Sequence, residues 1–189
     1  VDAVFKKTNY SNSSEASLGY DLTIGERSVN DSVSTGGIIG ASTDTWRANL
    51  LGAYEEGGDT EYKDGTIGGS EFQRSIYGLA TGLRTDLGEF SLDWRRHNTG
   101  FSGNPPFGMD IRFVDTDVLK AGNEKAFGDV LVEASASYTD AAHGMNTFDL
   151  RPAMMQREAF AYAITRKADI AATFPAFGGS LQIGADTAE

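Results

Sequence analysis

The chain has 189 residues and a net charge of −11, from 27 acidic against 16 basic residues, with 23 glycines, 4 prolines and no cysteine. So acidic a molecule repels a phosphate backbone, which disfavours nucleic-acid binding, and without cysteine there are no disulfides, thiol catalysis or zinc–thiolate sites. The length suits one domain, the glycine share points to turns and thin strand positions rather than helices, and no apolar run reaches the roughly 18 residues of a helical membrane span.

The first fifteen residues are mostly polar, and the Asn9 to Ser14 cluster reads as a turn; its Asn-x-Ser matches at Asn9 and Asn12 are read as chance. From Ala16 to Glu26 the chain alternates, with Leu18, Tyr20, Leu22 and Ile24 opposed by Gly19, Asp21, Thr23 and Gly25, which is the period of a strand. A weaker strand is expected around Gly36 to Ser42. Thr43-Asp44-Thr45 then reverses the chain into Trp46, Ala48, Leu50, Gly52 and Tyr54.

A long polar excursion from Gly57 to Glu71 precedes a hairpin whose strands, near Phe72 to Thr85 and Glu89 to Asn98, are joined by Asp86-Leu87-Gly88 alone. Phe101 to Gly108 forms a second long loop, stiffened by Pro105 and Pro106. A strand follows from Met109 to about Ala121, then a turn near Gly122 to Gly128.

The clearest alternation runs from Asp129 to Thr139, with Val130, Val132, Ala134, Ala136 and Tyr138 on one side and Glu133, Ser135, Ser137 and Thr139 on the other. An extended loop is expected from Asp140 through Asn146 to Arg157, then a strand marked by Phe160, Tyr162, Ile164 and Ile170 that ends at Thr173, and a last strand begun by Leu181 and Ile183.

Strand alternation alone fits a soluble sandwich as well as a barrel. The connections separate them, because from Thr43 onward they alternate short and long, so every long loop leaves from the same end of the strands. That is the asymmetry of an outer-membrane barrel. Strands of about ten residues suffice to cross a bilayer at a tilt. The face opposite the apolar one carries Asp21, Asn49, Asp93, Arg95, Glu133 and Asp169, as a wet lumen requires. Tyr54, Phe72, Phe90, Tyr138 and Phe160 near strand ends suit interfacial girdles. The fold class expected is all-β: an antiparallel, up-and-down transmembrane β-barrel segment of about nine strands, incomplete and without a plug.

Chemistry concentrates at His143-Gly144-Met145, where an imidazole and a thioether two residues apart in extended chain point the same way and can grip one soft ion. A chance His-x-Met in a polar loop is the alternative. His97, beside Arg95 and Arg96, is a candidate anion contact or a solvated strand end. Glu55, Glu56, Asp59, Glu61 and Asp64 are a candidate calcium loop or simply a solubilising one, since EF-hand spacing is absent. Asp115 and Asp117 could imitate a catalytic pair but also suit lumen lining. No Gly-x-Ser-x-Gly, His-Glu-x-x-His or phosphate-loop motif occurs, and the chain is not expected to be an enzyme.

Several stretches carry a family resemblance: Gly88-Glu89-Phe90 through Asn98, Gly103-Asn104-Pro105-Pro106, Met109-Asp110-Ile111-Arg112 with Asp115-Thr116-Asp117, and His143-Gly144-Met145-Asn146-Thr147-Phe148-Asp149-Leu150-Arg151-Pro152. Over about Phe72 to Pro152 the chain resembles the barrel of TonB-dependent outer-membrane receptors, closest to their copper-receptor branch. The resemblance implies a parent barrel of about 22 strands filled by a plug domain. Residues 1–189 would be one partial barrel domain of it, set in bacterial outer-membrane lipid and working with the plug and the TonB complex. It further implies uptake of a metal ion or metal chelate, copper first and a siderophore second, with copper as cargo rather than cofactor. His143 and Met145 would be the barrel half of a copper site that plug-derived cysteine and methionine complete. The alternatives are a small self-contained outer-membrane barrel or porin, and a soluble β-sandwich or lipocalin-like binding protein.

Overall fold

The computed structural model describes residues 8–152 and 155–189. It contains eleven strands: β1 (Ser17–Arg27), β2 (Ser32–Ser42), β3 (Trp46–Gly57), β4 (Thr60–Tyr62), β5 (Gly65–Ile67), β6 (Phe72–Thr85), β7 (Gly88–Ser102), β8 (Asp110–Phe127), β9 (Val130–Asn146), β10 (Glu158–Ala176) and β11 (Gly179–Ala188). Nine of them form one antiparallel sheet in the order β1-β2-β3-β6-β7-β8-β9-β10-β11, and β4 with β5 makes a separate two-stranded hairpin.

Directly opposed residues in an antiparallel ladder share a face, so the register resolves the two surfaces. One row runs Tyr20, Ile39, Leu50, Leu79, Trp94, Leu119, Tyr138 across β1 to β9 and is apolar throughout. A row on the opposite face runs Gly19, Gly40, Asn49, Ala80, Asp93, Lys120, Ser137 and is small or polar. The apolar surface is uncovered: Leu18, Tyr20, Leu22 and Ile24 are 75–83% exposed, and among the described residues the buried hydrophobics are Ile38 and Ala80 alone. Each such side chain left in water forgoes about 1.5–3 kcal/mol, so this face is the costly one to leave in contact with water. A sandwich would have buried it against a second layer.

Short connections (43–45, 86–87, 128–129, 177–178) lie at one end of the sheet, and the connections 58–71, 103–109 and 147–157 lie at the other. β1 and β11 are its two edges, so the described sheet is not closed. The pairing of first and last strands that a small self-contained barrel demands is not made.

Several boundaries differ from the sequence reading. The excursion from Gly57 to Glu71 carries the β4–β5 hairpin, with Thr60 opposite Ile67. β8 continues past Ala121 to Phe127, because Gly122 to Phe127 find ladder partners in Val130 to Ser135. The turn shrinks to two residues, of which Gly128 takes a φ of 63° that glycine adopts freely. β10 extends to Ala176 because β11 pairs with its last residues, Pro175 included. The expected loop at Asp140 to Asn146 is instead the end of β9, paired on one side with Asp110–Asp117 and on the other with Glu158–Ile164.

The segment from Thr8 to Ser13 crosses the polar face near the short-turn end. Thr8 donates its N–H to Asn49 Oδ1 at 2.8 Å and its hydroxyl to the same atom at 2.5 Å, while Asn49 Nδ2 donates to the Ala80 carbonyl at 3.2 Å. The Tyr10 ring packs against two guanidiniums, 4.5 Å from Arg47 and 3.7 Å from Arg84, and Glu89 accepts from both at 2.9 and 3.2 Å. Ser11 N–H donates to the Thr43 carbonyl and Asp44 N–H to the Ser13 carbonyl, each at 2.9 Å, which fixes the strap to the β2–β3 turn.

Candidate metal site

His143 and Met145 occupy the long-loop end of β9 on the polar face, since His143 stands opposite Val114 and Ala161, and Met145 opposite Ile111 and Ala159. Strand geometry therefore gives the same-side relationship expected of an extended loop, on a more rigid support. The neighbours are apolar or small. His143 Nε2 is buried and has no hydrogen-bond partner among the described residues. A buried imidazole nitrogen normally has a partner, so an orphan beside a thioether is what a ligand nitrogen presents to a soft cation.

The β8–β9 ladder contains a bulge between Ile111 and Phe113 directly opposite this segment. Without the extra residue, Arg112 would stand across from Met145; with it, Ile111 does. Arg112 turns instead to Glu158 at 3.0 Å and Asp149 at 3.8 Å. Gly144 is the spacer between the two donors, and a Cβ there would run into the Phe113 ring.

Loop 147–157 is built on Asn146, whose Oδ1 accepts from the N–H groups of Phe148 at 3.2 Å and Asp149 at 3.1 Å, and whose Nδ2 donates to Asp149. Arg151 reaches back across 41 residues to donate to both carboxylate oxygens of Asp110, and also to the carbonyls of Phe107 at 3.0 Å and Asn104 at 3.2 Å. Asn104 N–H completes the clasp by donating to Asp110 Oδ1 at 2.8 Å. By accepting hydrogen bonds from Arg151 and then through its negative charge, the Asp110 carboxylate stabilises the protonated guanidinium and holds its pKa above the ordinary value.

The other candidates fare differently. Arg95 and His97 face the polar side in mid-strand, opposite Gly78 and Ile76, whereas Arg96 points to the apolar side opposite Tyr77; the expected basic cluster at a strand end is split by the pleat. Asp115 and Asp117 are not lumen lining: their partners Asn98 and Arg96, and Ala142 and Asp140, lie on the apolar side, where Arg96 pairs with Asp117 at 3.0 Å and Asp115 at 3.9 Å. This belt follows Phe90, Leu92 and Trp94 along β7 and marks where the apolar band gives way to a polar layer. In the acidic loop, Glu55 pairs with Arg27, Glu56 accepts from the Tyr54 hydroxyl and Asp59 accepts from Ser70 N–H. No group of three His, Asp or Glu among the described residues could hold a metal.

Sequence reasoning singled out the His-x-Met and missed the roles of Asp110, Asn146 and Arg151. An Asn followed three residues later by Asp is a local turn signal for Asn146. Nothing local announces the pairing of Arg151 with Asp110.

No family model and no curated protein matches the chain. Among solved structures it superposes on the copper transporter OprC with a TM-score of 0.86 at 20% identity, over 95% of this chain and 30% of that one. The chain thus spans about a third of the length of the protein it matches and shares its fold, an antiparallel β-sheet of barrel type.

Proposed function

We propose that residues 1–189 are one partial barrel domain of a TonB-dependent outer-membrane receptor, and that the receptor takes up a metal ion, copper first and a metal chelate such as a siderophore second. The apolar face meets outer-membrane lipid and the polar face lines the lumen. His143 and Met145 are the ligands this wall contributes, with further soft donors coming from the plug. The single observation that carries the reading is the orphaned, buried Nε2 of His143 beside Met145 on the polar face of a sheet whose other face is uncovered. The fold shared with a copper transporter supports it.

The test is accumulation of radioactive copper by cells that make the full-length protein. Uptake is expected to need TonB and to fall to background in the His143→Ala, Met145→Ala double variant. Uptake unchanged by the double substitution, with equal protein in the membrane, contradicts the assignment of the ligands.

A further inference from the structure

We propose that Arg151 is a positioning residue for the metal site: its clasp on Asp110, Asn104 and Phe107 holds the bulged start of β8, the end of β9 and residues 147–152 as one body and so sets the aim of His143 and Met145. The proposal rests on the reading of those two residues as ligands.

Neither His143 nor Met145 is oriented by a hydrogen bond of its own in the described structure, so their aim depends on the backbone of β9. That backbone is held where Asp110 opposes Asn146 and Ile111 opposes Met145, one step from the bulge. A bulge is a place where a ladder can slip by one residue, and a slip here would bring Arg112 opposite Met145 in place of Ile111. A guanidinium beside a cation site opposes binding.

Two contacts resist the slip. Arg112 is tied to Glu158 and Asp149, and Asp110 is tied to Arg151 and to Asn104 N–H. Asp110 is 1% exposed, so its carboxylate depends on these partners, and a bidentate guanidinium fixes both position and orientation. The clasp reaches the third long loop as well. Gly103 N–H donates to the Glu71 carbonyl at 2.7 Å, and a Cβ on Gly103 would collide with the Gly69 carbonyl, so loop 103–109 is seated directly on loop 58–71. Gly69 and Glu71, Gly103 and Asn104, and Arg151 therefore come together at the long-loop end of β8 and β9.

The experiment uses the full chain in detergent micelles, with silver(I) as a redox-inert probe for a soft monovalent site. Wild type, Arg151→Ala, Arg151→Lys and the Asp110→Arg, Arg151→Asp exchange are compared by silver affinity, by X-ray absorption at the bound silver, and by hydrogen exchange of residues 143–150. Arg151→Ala is expected to weaken silver binding about tenfold, as loss of a group that orients a ligand does. It is also expected to reduce the nitrogen contribution to the silver shell and to speed exchange at Met145 to Asp149, with the barrel still folded. Lysine should restore part of the affinity, and the exchange variant more of it. Silver affinity and coordination equal to wild type in Arg151→Ala would overturn the proposal, whether or not the loop loosens. Absence of silver binding by the wild type would instead remove the ligand reading on which it rests.

Discussion

Asp110 and Asn146 face each other across the β8–β9 ladder, each 1% exposed, and each organises a different loop from that one point. Asp110 holds loop 103–109 to Arg151, and Asn146 caps the first turn of loop 147–157. Asn146→Ala removes two acceptor bonds and one donor bond from a buried position. It is expected to cost about 1–3 kcal/mol, read by chemical denaturation in micelles, and Asn146→Asp, which keeps the acceptors but sets a second buried carboxylate against Asp149 and opposite Asp110, should cost at least as much.

Gly103 is required by a close approach rather than by its own backbone angles. A Cβ there would meet backbone atoms of Gly69 and Ser70, which cannot swing aside as a side chain can. Gly103→Ala is expected to destabilise the protein by about 1–3 kcal/mol and to raise protease sensitivity in loops 58–71 and 103–109. Gly108→Ala, with nothing within 4 Å, is the matched control and should be silent.

The strap predicts a pH effect. Burial, and next the charge of Glu89, push the Tyr10 hydroxyl above its ordinary value, with Arg47 and Arg84 pulling the other way. A tyrosine whose folded pKa is raised contributes stability that is complete below the ordinary value of about 10 and is lost as pH rises through the folded value. The difference in ultraviolet titration between wild type and Tyr10→Phe should therefore show a tyrosine ionising above pH 10, and Glu89→Gln should lower it. Tyr10→Ala, which removes the ring from both guanidiniums, should cost about 1–2 kcal/mol, while Tyr10→Phe should retain most of that.

Much of the fold was legible because a period of two is a local property. Leu18 to Ile24 and Val130 to Tyr138 declare their faces within a few residues, and the alternation of connection lengths declares the two ends of the sheet. The ends of strands were not legible. Asp140, Gly144 and Asn146 have poor strand propensity, yet each is paired on both sides, and a ladder with two neighbours overrides propensity. The same effect carried β8 through Gly122 and Asn123. Of the candidate site, the shared direction of His143 and Met145 followed from their spacing alone. Its support did not, because Arg151 and Asp110 are 41 residues apart and the bulge at Arg112 leaves no mark in the pattern. Asp115 and Asp117 were set on the wrong face because their parity can be counted only once β8 is registered against β7 and β9.

The most direct test of the central claim uses the two tryptophans. Trp46 and Trp94 both point to the apolar face, 38% and 36% exposed and unscreened by any second layer. With the full-length protein reconstituted in vesicles, lipids brominated on their acyl chains should quench the fluorescence of both, and the effect should halve in each single Trp→Phe variant, while aqueous acrylamide quenches little. A protein that remains monomeric in plain buffer, with both tryptophans quenched by acrylamide and neither by brominated lipid, would contradict the membrane barrel and with it the transport function.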